Sequence, residues 1–182
     1  MPPRLILDSA RFSITIRRLC FQLIENHDNF SNSVLIGLQP RGILLARCIR
    51  EELNKLTGNN IAYGELDTTF FRDDFRMKAL VPNTTQMECP IENRNVILID
   101  DVLFTGRSVR AAMDALQQFG RPNHVELLVL VNRRFSRHVP VQPDYVGLTV
   151  DALFSEKVIV QWAGDMNTAA ITLTSAESND RS

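Results

Sequence analysis

Short apolar runs alternate with longer amphipathic stretches along this chain, and this alternation constrains the fold more than any other feature. Strands of β-branched residues that alternate with helices of about 10–15 residues are typical of βαβ units. We therefore predict an α/β fold with a mostly parallel central sheet flanked by helices. The predicted strands are residues 33–37, 62–71, 96–99, 125–131 and 158–162, and the predicted helices are 14–24, 42–56 and 108–119. Ligands of such folds bind beyond the carboxyl ends of the strands, so we expect functional residues after Gly37, Ile99 and Val131.

Length, charge and cysteine content narrow the class of protein. The chain has 182 residues, enough for one domain of ordinary size, and a net charge of −1, which gives no global reason to expect nucleic-acid or acidic-membrane binding. No apolar run approaches the ~20 residues that cross a bilayer, and the first residues do not resemble a secretory signal, so we predict no membrane partner. Cys20, Cys48 and Cys89 form no C-x-x-C pair. They argue against a disulfide framework or a zinc site and favour a location in the cytoplasm.

Two segments lack strong periodicity. Residues 72–94 are polar and long for a connection inside a domain. Loops of this size are commonly lids or binding loops, although a plain surface excursion is the alternative. Residues 164–182 are rich in Ser, Thr, Asn and Ala and have few large side chains. We predict a single domain over residues 1–163 and a disordered tail over residues 164–182.

The most informative segment starts with the apolar strand at Val96 and ends where a helix begins at Ser108. The strand delivers two adjacent carboxylates, Asp100 and Asp101, to the edge of the sheet. Helix N-termini present unpaired N–H groups and the positive end of a dipole, so we predict that the turn at residues 105–108 binds a phosphate group. The candidate substrate-binding residues after the acidic pair are Val102, Leu103, Phe104, Thr105, Gly106, Arg107 and Ser108.

Two carboxylates beside a phosphate site repel a ligand unless it brings hydroxyl donors or a cation. A sugar with a vicinal diol and a 5′-phosphate meets this requirement, and Mg²⁺ on a diphosphate balances the remaining charge. The alternative is that Asp100 and Asp101 only cap a turn. A P-loop NTPase is excluded because the chain has no Gly-Lys-Ser or Gly-Lys-Thr, and a response-regulator receiver is excluded because its acidic pair follows the first strand.

The segment from Val96 to Ser108 resembles the phosphoribosyl-pyrophosphate motif of type I phosphoribosyltransferases, because strand, acidic pair, Thr-Gly and helix start occur in the same order. Further matching segments are residues 38–42, 64–67, 71–74, 110–116, 120–122, 144–147 and 155–158. Together they resemble the PyrR family, in which a uracil phosphoribosyltransferase doubles as an RNA attenuator of pyrimidine operons. The resemblance covers roughly residues 5–162. It implies a type I phosphoribosyltransferase fold with a small hood and a mobile loop, assembled as a homodimer or a higher homo-oligomer.

The resemblance also implies which residues form the site. Asp100 and Asp101 would bind the ribose hydroxyls of phosphoribosyl pyrophosphate and, through the substrate, Mg²⁺. Residues 105–108 would bind its 5′-phosphate. Arg72 would lie at the base of a lid, residues 72–94, that closes over the pyrophosphate and keeps water from the developing ribose cation. The implied catalytic residues are Arg41, Arg72, Asp100 and Asp101.

The pyrophosphate would lie on the loop that contains Pro40, Arg41 and Gly42. Position 40 is Pro where the family commonly has Thr, so this residue offers neither a hydroxyl nor an N–H donor. Proline eases a cis peptide bond, which such loops tend to use, so pyrophosphate binding can survive this departure.

The residues that the resemblance implies for the base and RNA sites match the family less closely than the sugar-phosphate motif does. Residues 132–140 differ from the family's Asp-Arg-Gly-His-Arg-Glu-Leu-Pro and are one residue longer. The base-pocket candidates are Asn132, Arg133 and Val158. Attenuator members use a basic face of the dimer, and the candidates for this RNA patch are Arg17, Arg18, Arg134 and Arg137. A solvated helix face is the alternative for these arginines.

The expected activity is the formation of UMP and pyrophosphate from uracil and phosphoribosyl pyrophosphate, with a possible regulatory role in pyrimidine biosynthesis. Two alternatives stay open. One is a UMP-sensing RNA attenuator with little catalytic activity, and the other is a phosphoribosyltransferase for another base.

Overall fold

Nine β-strands and three α-helices occur in the part of the chain that this computed structural model describes, residues 3–72, 84–87, 89–153, 155–162 and 169–175. The helices are α1 (Ser9–His27), α2 (Gly42–Thr57) and α3 (Arg107–Leu116), and a short 3-10 helix spans Thr69–Phe71. The strands are β1 (Arg4–Leu7), β2 (Ser33–Leu38), β3 (Tyr63–Leu66), β4 (Gln86–Met87), β5 (Asn95–Leu103), β6 (His124–Arg133), β7 (Tyr145–Val150), β8 (Glu156–Gln161) and β9 (Ala170–Ser175).

The larger sheet has six strands in the order β4-β3-β2-β5-β6-β7. Five of them are parallel, and β4 runs antiparallel to β3 at one edge. Helix α2 connects β2 to β3, and α3 connects β5 to β6. The predicted α/β fold with a mostly parallel sheet is therefore confirmed. Because β2, β5 and β6 are parallel neighbours, their carboxyl ends meet at one edge of the sheet.

Alternate residues of the central strands enter two different hydrophobic cores. On β5, Ile97 and Ile99 join the core that contains residues of α1 and α2, whereas Val96 and Leu98 join the core that contains residues of α3. A strand that is buried on both faces reads as a continuous apolar run, which explains why these strands were predictable. Gly37 allows α2 to approach β2, because a Cβ there would lie 2.8 Å from the Cβ of Ala46.

A second, smaller sheet has the antiparallel order β1-β9-β8. It corresponds to the small hood that the resemblance implies. The prediction of a disordered tail is wrong for residues 170–175, because they form β9 and pair with both other strands. Ile171 and Leu173 alternate with threonines and are buried in the core beside α1 and α2. The remainder of the predicted tail, residues 164–168 and 176–182, lies outside the described residues apart from the buried Ala169.

Several predicted boundaries shift, and each shift has a physical reason. Strand β5 continues to Leu103, so the acidic pair lies inside the strand, because Asp100 pairs with Val129 and Leu103 with Asn132 of β6. Helix α1 begins at Ser9, earlier than predicted, because the side chain of Asp8 accepts a hydrogen bond from the backbone N–H of Arg11 at 2.9 Å. Strands β1, β4, β7 and β9 were not predicted at all.

The predicted lid falls mostly outside the description, since residues 73–83 and 88 are not described. Asp73 and Asp74 are among them. The helices that are described include none that is both long and apolar enough to cross a membrane.

Candidate active site

The turn between β5 and α3 encloses a cavity of about 150 Å³ at the carboxyl edge of the larger sheet. Gly106 adopts a φ of 87°, a left-handed conformation that favours glycine, and precedes the first residue of α3. The structure therefore brings most of the predicted sugar-phosphate residues around one cavity. Its lining residues are Arg72, Asp100, Val102, Leu103, Phe104, Thr105, Gly106, Ser108 and Val109. The two remaining residues of the predicted set, Asp101 on β5 and Arg107 at the start of α3, lie outside the lining.

The acidic pair at this edge is incompletely satisfied. Asp101 is 5% exposed, and its backbone N–H donates to Asp100 Oδ1 at 2.9 Å. Asp101 Oδ2 is buried and has no hydrogen-bond partner among the described residues. An unpaired buried oxygen costs about 1–3 kcal/mol, so it indicates a site that a ligand donor or cation completes.

The electrostatics of the pair agree with this geometry. Desolvation and the neighbouring carboxylate of Asp101 raise the pKa of Asp100, while the positive charge of Arg72 opposes the increase. Burial also raises the pKa of Asp101, and the positive charge of Arg41 opposes it. The protein therefore leaves negative charge at this edge only partly compensated.

The loop between β2 and α2 lies directly against the acidic pair. A Cβ on Gly42 would lie 2.4 Å from the carbonyl oxygen of Ile99 and 3.3 Å from Asp100 Oδ1, so only glycine fits where α2 starts. The Gln39–Pro40 peptide bond is cis. Arg41 is exposed, so its guanidinium is available to an anionic ligand beside the pair.

Arg72 joins the same site from the end of the 3-10 helix. Its Nη1 donates to Ser108 Oγ at 3.0 Å. Its charge also acts on Asp100. The structure therefore places Arg72 beside the start of α3, where its charge acts on Asp100. Its role at the base of a lid stays a prediction, because residues 73–83 lie outside the described part of the chain.

Arg133 is the base-pocket candidate with the clearest geometry. Only 4% of the residue is exposed, and its guanidinium carbon lies 4.0 Å from the centroid of the Phe104 ring. Nη2 donates to the carbonyl oxygen of Leu153 at 3.0 Å, whereas Nε has no partner among the described residues. Burial lowers the pKa of this guanidinium. A second unsatisfied buried atom, this time a donor, therefore belongs to a side chain that packs on Phe104, one of the residues that line the cavity.

The other two base-pocket candidates are less informative. Asn132 Oδ1 accepts a hydrogen bond from Arg137, and the residue also borders a groove of about 640 Å³. Val158 lies on β8, and its side chain is buried in the core beside α1 and α2. Its contribution to a base pocket stays a prediction.

The structure removes Arg137 from the predicted RNA patch. This side chain is partly buried, and its donors are used by acceptors inside the protein rather than presented to solvent. The acceptors are the carbonyl oxygens of Leu103, Phe104, Arg133 and Val141 and the side-chain oxygen of Asn132. The sequence shows only a basic stretch at residues 133–137, and nothing in that pattern distinguishes the buried arginines from the exposed one.

The other three arginines of the predicted patch are exposed but have partners. Arg134 makes a two-point ion pair with Asp151 at 2.6 and 2.5 Å. Arg17 pairs with Glu52 at 3.1 Å. Arg18 donates to the carbonyl oxygens of Val146 and Gly147 on β7, the edge strand of the larger sheet. Their role in RNA binding stays a prediction.

Sequence reasoning missed the segment that contacts the predicted phosphate-binding turn, residues 105–108, on the side away from the cavity. The carbonyl oxygen of Thr105 accepts hydrogen bonds from the backbone N–H groups of His138 and Val139, at 2.9 and 3.2 Å. These are backbone contacts, and no side-chain pattern reports them.

Comparisons with known proteins decide the family. The phosphoribosyl transferase domain family matches residues 5–163 of the chain. A protein named bifunctional protein PyrR from Streptococcus mutans is 42% identical over 160 residues, which cover 88% of this chain and 89% of that protein. The chain belongs to the PyrR family. The resemblance predicted from its motifs is thereby confirmed.

Further relatives agree with this assignment. Another bifunctional protein PyrR, from Desulfosudis oleivorans, is 43% identical over 157 residues, which cover 85% of this chain and 87% of that protein. Among solved structures, a hypoxanthine-guanine phosphoribosyltransferase from Bacillus anthracis matches this PyrR-family chain with a TM-score of 0.68. The match covers 91% of this chain and 96% of the other at 14% identity. At that identity the likeness supports the type I phosphoribosyltransferase fold and nothing finer.

Proposed function

We propose that this PyrR-family chain transfers the phosphoribosyl group of phosphoribosyl pyrophosphate to uracil, forming UMP and pyrophosphate. One observation carries the proposal. Asp100 lines a cavity of about 150 Å³ at the start of a helix, and the next residue, Asp101, carries a buried Oδ2 without a partner among the described residues. Hydroxyl donors and a phosphate on the same small molecule satisfy both features together, and a phosphoribosyl group has them in the required proximity.

The residues act in this proposal mainly by position and charge. Backbone N–H groups of the turn at residues 105–108 hold the 5′-phosphate, and the ribose hydroxyls donate to Asp100 and Asp101. Arg41 binds the pyrophosphate oxygens with its planar fork of donors. The bond between ribose C1 and the pyrophosphate oxygen breaks and its electron pair leaves with the pyrophosphate. The bond between C1 and uracil N1 forms, and the N1 proton is released to the pyrophosphate. Arg41 stabilises the negative charge that develops on the departing pyrophosphate, and no side chain acts as a nucleophile.

Mg²⁺ suits this oxygen-rich edge when it arrives with the substrate. Among the described residues, no group of three or more His, Cys, Asp or Glu side chains is arranged to hold a metal ion. Mg²⁺ commonly uses one or two carboxylates together with substrate phosphates and water, which fits a pair as small as Asp100 and Asp101. When bound, the ion would neutralise charge on the pyrophosphate.

Arg133 supports an oxo base as the acceptor. Its Nε is a buried donor without an acceptor, and it lies beside Phe104, which lines the sugar-phosphate cavity. A carbonyl oxygen of the base would satisfy this donor, and uracil carries two such oxygens. An amino group at the same position would leave Arg133 Nε unpaired, at a cost in affinity.

The experiment is a turnover assay with labelled uracil, phosphoribosyl pyrophosphate and Mg²⁺, with hypoxanthine, guanine and cytosine as competing bases. We expect UMP above background and a preference for uracil. The Asp101→Asn variant, purified in parallel, controls for contaminating activity. Absence of nucleotide formation with all four bases would overturn the proposal, and a preference for a purine would overturn only the choice of uracil.

A second activity is supported by the word bifunctional in the names of the relatives. We propose that it is UMP-dependent binding of a pyrimidine-operon leader RNA by a homodimer or higher oligomer in the cytoplasm. The exposed Arg17 and Arg18 on α1 support it, because phosphate contacts need accessible cations. The Arg17→Gln, Arg18→Gln double variant should lose the gel shift of that RNA while it keeps uracil turnover. Binding that ignores both UMP and leader sequence would discard this second activity.

A further inference from the structure

Arg137 connects the two sides of the candidate active site. Its Nη1 donates to the carbonyl oxygen of Leu103 at 3.1 Å and to that of Phe104, both on the chain that leads from β5 into the phosphate turn. The same Nη1 donates to the carbonyl oxygen of Arg133 at 2.9 Å, and Nη2 donates to the side chain of Asn132. One guanidinium thus forms hydrogen bonds both to the end of β6 and to the chain that enters the turn at residues 105–108.

The backbone next to Arg137 extends the same contact. The carbonyl oxygen of Thr105 accepts from the N–H groups of His138 and Val139. Three consecutive carbonyl groups, those of residues 103, 104 and 105, are therefore bound on one side by residues 137–139. The segment also packs behind Gly106, since a Cβ there would lie 3.4 Å from Val139.

Because residues 137–139 bind these three carbonyl groups, peptide geometry fixes the direction of the N–H groups in the same three peptide bonds. In a trans peptide the C=O of one residue and the N–H of the next point in opposite directions. The only cis bond in the described part of the chain is Gln39–Pro40, so these three peptides are trans. The N–H groups of Phe104, Thr105 and Gly106 therefore point away from residues 137–139. The 150 Å³ cavity lies against residues 102–109 and has no lining residue from that segment.

We propose that Arg137 is a positioning residue that directs the N–H groups of residues 104–106 at the 5′-phosphate of the substrate. This inference rests on the proposed phosphoribosyl transfer and names a residue that acts on it through the backbone. A guanidinium is suited to the task, because it supplies five donors in a fixed plane, and the carbonyls it binds are the ones that must be kept out of the phosphate site.

The test separates phosphate binding from general stability. Ribose 5-phosphate binding is measured by calorimetry, and the KM values for phosphoribosyl pyrophosphate and for uracil are measured separately, for wild type, Arg137→Ala and Arg137→Lys. For Arg137→Ala we expect the dissociation constant of ribose 5-phosphate and the KM of phosphoribosyl pyrophosphate to rise at least about tenfold, as for loss of about one well-placed interaction. The KM of uracil should stay within about twofold.

Arg137→Lys keeps the charge but offers three donors from a single atom, so we expect an intermediate value. It also keeps the inference testable if Arg137→Ala does not fold. The matched control is Arg50→Ala, because Arg50 Nε also donates to a backbone carbonyl, that of Ile61 at 3.0 Å, ahead of the start of β3 and away from the site. That variant should lower the melting temperature without changing ribose 5-phosphate binding.

Equal affinity of wild type and both Arg137 variants for ribose 5-phosphate would overturn the positioning role while phosphoribosyl transfer stands. Arg137→Lys that behaves as wild type would also overturn it, since charge alone would then be sufficient. Failure of the wild-type protein itself to bind ribose 5-phosphate and to use phosphoribosyl pyrophosphate would overturn the proposed function, and the positioning role with it.

Discussion

The two edges of the six-stranded sheet each carry a buried polar cluster, and the clusters differ in how completely their atoms are satisfied. At the amino edge, His27 Nε2 lies 2.9 Å from Glu126 Oε2, and Nδ1 lies 3.0 Å from Ser33 Oγ. The hydroxyl of Tyr145 donates to Glu126 Oε2 at 2.8 Å and accepts from Asn26 Nδ2 at 3.0 Å. His27 also stacks on a neighbouring ring, that of Phe30.

At the carboxyl edge, by contrast, buried polar atoms lack hydrogen-bond partners. Asp101 Oδ2 and Arg133 Nε are buried without partners among the described residues, and the pKa of Asp100 is raised by desolvation and by its neighbour. Each unpaired buried atom costs about 1–3 kcal/mol in the free protein. A satisfied network stabilises the fold, whereas an unsatisfied one persists where a ligand completes it. The contrast supports a structural role for the amino edge and the proposed binding role for the carboxyl edge.

The largest expected effect comes from removing the negative charge of Asp101. Asp101→Asn should lower kcat/KM for phosphoribosyl pyrophosphate by about 100- to 1000-fold, because the amide loses an acceptor and the charge that stabilises the reacting ribose. Steady-state kinetics with labelled uracil measure the effect. Glu126→Gln makes the same change at the amino edge and should leave kcat/KM within about twofold. Equal losses in both variants would abolish the distinction between the edges.

Arg72→Ala should have the next largest effect. It removes the donor to Ser108 Oγ and a positive charge that acts on Asp100, so we expect turnover to fall about 10- to 100-fold with little change in uracil binding. Separate measurements of kcat and of the uracil dissociation constant show whether turnover falls while uracil binding is kept. Arg50→Ala is again the control. Unchanged turnover in Arg72→Ala would remove this residue from the site.

At the amino edge, Tyr145→Phe should lower the free energy of unfolding by about 1–2 kcal/mol, because Glu126 loses a donor and Asn26 loses an acceptor. Urea unfolding measures the change, and turnover per folded molecule should match wild type. A loss of turnover without a loss of stability would contradict the structural role that we assign to this edge.

The smallest expected effect is a gain in stability, and it depends on pH. Because the pKa of Asp100 is raised above its ordinary value of 3.8, the folded protein binds this proton more tightly than the unfolded chain. The free energy of unfolding therefore decreases as the pH rises from the ordinary pKa of an aspartate through the raised pKa of Asp100. Asp100→Asn removes this loss and should stabilise the protein at pH 8 by about 1 kcal/mol, or about 2–4 °C in Tm.

Thermal unfolding of wild type and Asp100→Asn at pH 5 and pH 8 measures this gain. The gain should be larger at pH 8. Asp114→Asn, which removes a half-exposed carboxylate on α3, is the control and should show no such dependence. A gain that is the same at both pH values would contradict the raised pKa of Asp100.

The carboxyl edge was largely predictable from the sequence, and the amino edge was not. The run from Val96 to Ser108 predicts a sugar-phosphate site, because strand, acidic pair, turn and helix start are contiguous in the chain. The cluster at the amino edge joins Asn26 and His27 to Glu126 and Tyr145, about a hundred positions away, and such contacts depend on the register of the sheet.

Two errors have the same origin. Arg137 reads as one more member of a basic stretch, and only the path of the chain after β6 shows that its donors face carbonyl groups. The strand at residues 170–175 has weak alternation of two large apolar residues with threonines, and it is ordered by pairing with β1 and β8 rather than by its own composition. Tertiary pairing overrides composition in both cases.

Hydrogen exchange of backbone amides with and without Mg²⁺ and phosphoribosyl pyrophosphate tests the contrast between the two edges most directly. We predict slower exchange in peptides that cover residues 38–42 and 100–108 on addition of the ligand, because their amides contact or neighbour the bound phosphates. Peptides that cover residues 26–33 and the start of β6 should be unchanged. Protection at the amino edge, or none at residues 100–108, would contradict the account.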